Sequence, residues 1–237
     1  MSSEFVASKN SAQDFVNYYN SRKYEKIYPS EFVVRTFKSD FTELKFDRPK
    51  KNDIVIDVSC GYGRNLLFLC EQGYKAYGTE VAQELCDATK QRMQSFGYSP
   101  DILVGKNHNM PFENSFADYI LAAYCIHHCD KGVVMQDNIK EYSRVLKDNA
   151  YLIASMIHKD SYFFKNSHRE DDGTYVVSND SFYNIVGCRM HPVGSVEEAV
   201  TLFSPYFEDF TFGEENNNFY GVSSHQYWMV CRKKPTT

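Results

Sequence analysis

Residues 54–65 read Ile54-Val55-Ile56-Asp57-Val58-Ser59-Cys60-Gly61-Tyr62-Gly63-Arg64-Asn65. The first five form an apolar run interrupted by one acid, which suits a short strand covered on both faces. Gly61 and Gly63 permit a tight turn whose backbone can lie close to a ligand. A helix predicted from about Arg64 to Gly73 then points its free N-terminal amides at the same place. A strand, a glycine turn and a helix in succession open a β-α unit, and the chain repeats that unit. Lys75 to Val81 is the next predicted strand, and Ala82 to about Phe96 the next helix, ended by Gly97. Strands follow at 101–105, 117–124 and 151–156, with a long helix over 133–146 between the last two.

Repetition at this spacing predicts an α/β fold: a doubly wound, mostly parallel sheet with helices on both faces and right-handed crossovers. Such sheets take ligands at the carboxyl ends of their strands, where strand order reverses. The tail departs from the pattern. A helix at 196–203 is followed by strands at 207–212 and 226–232, an antiparallel pair that closes the edge and brings the sheet to seven strands. Before the core, residues 11–46 carry aromatic and apolar positions at helical spacing. They predict two helices joined at Tyr28-Pro29-Ser30, with Ser30 as N-cap. The whole chain, 1–237, reads as one domain: a helical lid (1–46), a ligand-binding core (53–156), a substrate-covering insertion (157–195) and a C-terminal helix with two strands (196–237).

Composition narrows the partners. The chain has 43% hydrophobic and 24% charged residues, ordinary globular usage, and a formal charge of −5. There is no concentrated basic face for a phosphate backbone, which argues against nucleic acid. No signal peptide or bilayer-length apolar run is legible, so a cytoplasmic protein without membrane contact is expected. The seven cysteines form no CxxC pair and read as small buried hydrophobes. Cys125 and Cys129 enclose His127 and His128, but no second ligand pair has zinc-site spacing, so no metal is expected.

Glu80 ends the second predicted strand, 17 residues after Gly63. A carboxylate there accepts both hydroxyls of a ribose, a chemistry that nucleoside-binding sheets share. A dinucleotide dehydrogenase pairs a glycine turn with such an acid too. It needs a third glycine, and Leu66 stands in that place.

At this point the sequence resembles the class I S-adenosylmethionine-dependent methyltransferases, in particular the type-11 or ubiquinone-biosynthesis-like branch, a Rossmann-like fold. The likeness runs from about Asp53 to Met156 through VIDVSCGYGRN, AYGTEV, MPFENSFADYILAAYCIHH and EYSRVLKDNAYLIAS. It implies S-adenosylmethionine as cofactor, with S-adenosylhomocysteine as product. It also implies that Asp57, Gly61 and Gly63 line the methionine end, Glu80 holds the ribose, Val81 flanks the adenine, and the backbone near Ala122 receives the methionine amino group. Ser59 replaces the family's first glycine, and serine is small enough to keep binding. Lys106 replaces the acid that reads the adenine amino group, and lysine cannot accept that hydrogen bond. Asn107 or His108 is expected to take over, or packing alone.

Methyl transfer asks the protein to align acceptor and sulfonium and to exclude water, with a base where the acceptor is a hydroxyl. His127, at the end of the fourth strand, and His191, in the insertion, are the candidate bases, ahead of His158 and His225. Tyr18, Tyr19, Tyr28 and Arg35 belong to the lid, and Arg35 suits a carboxylate partner. Lys165, Arg169 and Arg189 would meet an anionic group. The expected acceptor is therefore an oxygen or nitrogen of a small polar metabolite, phosphorylated or sugar-linked, as in surface-carbohydrate pathways. The competing readings are a non-catalytic S-adenosylmethionine-binding accessory or sensor, and a protein or RNA methyltransferase. The oligomeric state has no sequence signal.

Overall fold

A computed structural model describes residues 28–165, 167–178 and 185–236. The expected helix over residues 11–27, with Tyr18 and Tyr19, lies outside them. Seven strands form one sheet in the order β3-β2-β1-β4-β5-β10-β9. They are β1 (Ile54–Asp57), β2 (Lys75–Glu80), β3 (Asp101–Val104), β4 (Ala117–Ala122), β5 (Leu146–Ile157), β9 (Phe207–Phe219) and β10 (Val222–Lys233). The first five are parallel; β10 runs antiparallel to both β5 and β9. Strand order turns back between β1 and β4, the predicted ligand position.

Alternation along the strands explains the layers. Val55, Leu121 and Val230 point to one face, with α1 (Glu31–Lys38), α2 (Arg64–Glu71) and α3 (Gln83–Ser95). Their neighbours Ile56, Ile120 and Met229 point to the other, with α4 (Met135–Val145) and α5 (Val196–Phe203). β1, β4 and β10 are therefore apolar at consecutive positions, as a sheet covered on both sides requires.

The differences from expectation lie at the ends of the chain and in the insertion. Helix α1 is a core helix in its described part: Val33 and Phe37 are buried, and Phe32 stacks on Trp228 at 4.9 Å. Ser30 occupies the N-cap position, yet its side chain caps nothing; its hydroxyl lies 3.3 Å from that of Tyr124 and its amide donates to Asn65 Oδ1. The C-terminal strands run far past 207–212 and 226–232, because the polar stretch between them continues the ladder as a long hairpin. The insertion builds its own antiparallel sheet, β6 (Ser167–Arg169), β7 (Tyr175–Val177) and β8 (Arg189–Met190), seated on Ile157 through Phe163, Val177, Cys188 and Met190.

Candidate active site

The carboxyl ends of the parallel strands open into a cavity of about 750 Å³, within the range of small-molecule sites. Its lining divides into two groups. One is the turn after β1, the end of β2 and the loops after β3 and β4: Asp57, Ser59, Gly61, Glu80, Val81, His108 and Asp130 belong here. The other comes from the insertion and the C-terminal hairpin: Ile157, Phe163, Met190, Glu215, Phe219 and Gln226.

The β1 turn is tied to β2 by hydrogen bonds that the sequence motif does not reveal. Glu80 is buried, and its two oxygens accept the amides of Gly61 (2.6 Å) and Val81 (3.1 Å). Burial raises its carboxyl above the ordinary range, and these two amides pull it back. Gly61 has φ +56°, and its carbonyl accepts from Thr89 Oγ1 at 2.6 Å. Ser59 has φ +52°. A residue with a Cβ pays about 1–2 kcal/mol in that region, so the backbone retains the shape a glycine would take there.

Gly63 serves packing. It sits at φ +80° at the head of α2, and a Cβ there would meet Met93 Sδ at 3.0 Å and Thr89 Cγ2 at 3.1 Å. It lets α2 and α3 approach and does not line the cavity.

Asp57 is buried, and its Oδ2 has no hydrogen-bond partner. Burial pushes its carboxyl up to about 8, against the Arg64 guanidinium and with help from the Glu80 charge. An acceptor oxygen without a donor, at the mouth of a glycine turn, asks for a donor from a ligand.

The adenine-end candidates separate. Asn107 lines the cavity, but both donor bonds of its amide go to carbonyls, of Cys125 (2.8 Å) and His128 (3.1 Å), and its Oδ1 accepts from Tyr142 (3.0 Å). It holds the β4 end in place rather than offering an amide to a ligand. Lys106 is drawn to Asp130 at 2.6 Å, and His108 lies 4.0 Å from the same carboxylate. A carboxylate thus lies beside Lys106 in the cavity wall, supplied from the loop after β4. Sequence spacing cannot show that exchange.

Among the candidate bases, His127 is in the cavity wall. It is buried, burial and the neighbouring His128 hold its imidazole well below the usual histidine range, and Nδ1 has no partner. His191 does not line the cavity; its amide donates to the His127 carbonyl, and its ring lies beside Gly173. His158 and His225 face each other at 3.9 Å, with His225 on Glu214. Ala122 is buried inside β4, and the lining passes to Ala123 and Tyr124. Tyr28 reaches the cavity, whereas Arg35 is half-exposed and paired with Glu31 along α1. Arg189 lines the cavity but is taken by Glu170 and Asp172. Lys165 and Arg169 are exposed.

Tyr124 carries no motif and is central here. Its backbone leaves β4 in a left-handed turn, φ +58°. Its amide donates to Ser155 Oγ (2.6 Å), its hydroxyl to Glu215 Oε2 (2.8 Å), and the Arg64 guanidinium lies 5.3 Å over its ring. A strained residue held by several partners at a cavity wall is a mark of a functional position.

Residues 56–154 match a family model described as a methyltransferase domain. No curated protein sequence matches the chain. Among solved structures, an S-adenosylmethionine-dependent methyltransferase of Methanosarcina mazei is similar at TM-score 0.63 and 19% identity, over 79% of this chain and 95% of that one. A methyltransferase of Thermotoga maritima described as a possible histamine N-methyltransferase is similar at TM-score 0.56 and 19% identity, over 95% and 99% of the two chains. The Burkholderia thailandensis 1,6-didemethyltoxoflavin N1-methyltransferase, solved with that compound and S-adenosylhomocysteine, is similar at TM-score 0.56 and 15% identity, over 78% and 72%. The sheet order, the glycine turn and the matched segment 56–154 together give the chain a methyltransferase domain with the class I S-adenosylmethionine-dependent methyltransferase fold. Among the described residues, no helix is long and apolar enough to cross a membrane.

Proposed function

We propose that this enzyme methylates a nitrogen or oxygen of a small molecule that occupies the insertion side of the cavity, with S-adenosylmethionine on the β1–β2 side. The observation that carries the reading is Asp57 Oδ2, a buried acceptor without a donor beside a turn already hydrogen-bonded to Glu80. Asp57 would take the methionine ammonium. Glu80, whose oxygens each keep a second lone pair after binding the Gly61 and Val81 amides, would take the ribose hydroxyls. Asp130, held by Lys106, would accept from the adenine amino group in place of the acid the family carries after β3.

The bound cofactor supplies a methyl group on a leaving group that is already activated. The chain supplies alignment at about 3–3.5 Å and exclusion of water. His127, neutral at physiological pH because of its burial, is a weak base; its free Nδ1 orients an N–H or O–H of the acceptor. The acceptor end has apolar walls in Ile157, Phe163 and Met190, and its Arg189 is neutralised by two acids. A phosphorylated or sugar-linked acceptor therefore draws no support from these residues.

Calorimetric titration with S-adenosylhomocysteine tests the seat. Wild-type protein is expected to bind at micromolar concentration. Asp130→Ala should bind about 10- to 100-fold more weakly, the loss of roughly one charge-assisted hydrogen bond. The same variant should lose its preference for S-adenosylhomocysteine over the inosine analogue, which lacks the amino group. Unchanged discrimination would remove Asp130 from the adenine site.

A further inference from the structure

Besides Asp57 and His127, two more cavity-lining residues among those described have a buried polar atom without a partner: Arg189, at Nε, with its other nitrogens on Glu170, Asp172 and Thr174, and Gln226, 3% exposed, at Oε1. Gln226 lies on β10 directly between Ile157 of β5 and Glu215 of β9 in the strand register. Side chains at such opposed positions share a face of the sheet, and all three line the cavity. The hairpin thus presents a row with an apolar residue, an amide oxygen and a carboxylate.

Glu215 is held entirely by neutral donors. Oε2 accepts from the Tyr124 hydroxyl (2.8 Å) and the Trp228 indole (2.9 Å), and Oε1 accepts from Asn217 Nδ2 (2.7 Å). Among the described residues it forms no ion pair. The cavity's cations are engaged elsewhere: Lys106 on Asp130, Arg189 on Glu170 and Asp172, Arg64 over the Tyr124 ring. This end of the site therefore offers one acceptor without a donor, Gln226 Oε1, and one carboxylate without a cation, Glu215, beside Ile157, Phe163 and Met190. A buried acceptor left unmet costs about 1–3 kcal/mol, and a ligand that brings donors recovers it.

We propose that the methyl acceptor is an amine-bearing molecule with an apolar body, anchored by N–H groups on Gln226 Oε1 and Glu215 while its body lies on Ile157, Phe163 and Met190. Gln226 and Glu215 are specificity residues in this account, and neither touches the cofactor seat. The proposal rests on the methyltransferase reading above and names the chemical class of its acceptor.

The test uses full-length protein saturated with S-adenosylhomocysteine and two probes of matched shape, 2-phenylethylamine and 3-phenylpropanoate. By calorimetry the amine should bind at least about tenfold more tightly than the carboxylate. Gln226→Leu and Glu215→Gln should each weaken the amine by about tenfold or more and bring the two probes together, with S-adenosylhomocysteine affinity within about twofold of wild type. That constancy shows that the variants fold. Equal or tighter binding of the carboxylate, an amine affinity indifferent to both substitutions, or no amine binding at about 10 mM overturns the proposal. A wild-type protein that fails to take S-adenosylhomocysteine overturns the cofactor seat, and this inference with it. The two failures are thus told apart in the same cell.

Discussion

Asp57→Asn will raise the melting temperature of the cofactor-free protein at pH 8 while weakening its hold on S-adenosylmethionine. The carboxyl is pushed by burial up to about 8 in the folded chain, against 3.8 for an open aspartate. Below about pH 4 it is protonated in both states and costs nothing. Between about pH 4 and pH 8 the unfolded chain releases the proton and the folded one keeps it. Folding then binds more protons than unfolding, so stability falls as pH rises, by at most about 1.4 kcal/mol per pH unit. Above about pH 8 the loss is complete. Asparagine fills the same space without a titration, so the two proteins should match in acid and diverge through neutrality. A difference of about 2–5 kcal/mol at pH 8 corresponds to roughly 5–15 °C for a chain of this size. Scanning calorimetry from pH 4 to pH 9 reads it directly, and parallel curves would refute it. Binding should show the reverse linkage. A methionine ammonium beside Asp57 favours the ionised form, so cofactor binding releases a proton below about pH 8 and wild-type affinity climbs with pH up to that point. The asparagine variant should show a flat profile.

That opposition between stability and binding explains which parts of the site the sequence reveals. Asp57, Gly61 and Glu80 are set by the chain's local grammar: a strand, a turn that needs positive φ, a second strand ending in an acid. Each can be placed by counting along one β-α unit, and the parallel sheet follows from repeating it. Gly63 obeys the same grammar for another reason, because its missing Cβ makes room for Met93 and Thr89 rather than for a ligand. The acceptor end has no such grammar. Tyr124, Glu215 and Gln226 come from the end of β4 and from a hairpin about 90 to 100 positions further on, and they meet because β10 inserts antiparallel beside β5. The hairpin stretch at 213–218 and 223–226 is polar almost without a break, so it shows no period-two strand pattern. It is easily taken for a loop, since there is no apolar run to mark it. Lys106 shows the same limit. Its departure from the family pattern is legible, but its pairing with Asp130, 24 positions away, emerges only when the loops after β3 and β4 are folded together. Histidines mislead for a related reason: His191 sits in the segment that lines the cavity, yet its ring lies beside Gly173 and outside the lining.

The largest loss of function should come from Glu80→Ala, and its size can be argued from the two bonds it would remove. Hydrogen bonds to a charged partner contribute about 1.5–3 kcal/mol each, so two ribose hydroxyls on one buried carboxylate amount to about 3–6 kcal/mol. Affinity for S-adenosylhomocysteine should fall by about 10²- to 10⁴-fold. A second effect runs alongside, because the Gly61 and Val81 amides lose the oxygens they donate to, and the turn that shapes the cofactor seat loses its tie to β2. The ligand can be used to separate the two. In wild-type protein, adenosine should bind about 100-fold more tightly than 2′,3′-dideoxyadenosine, since only the former carries the hydroxyls. In Glu80→Ala the two should bind alike. If the variant loosened the turn without having held the ribose, both nucleosides would weaken together and the ratio would survive. Glu80→Gln sharpens the distinction. Its amide keeps the volume but turns a donor toward the Gly61 or Val81 amide, where an acceptor is needed. It should bind nucleosides no better than the alanine variant despite its closer shape, because the site requires acceptor oxygens on both sides of the carboxyl rather than bulk.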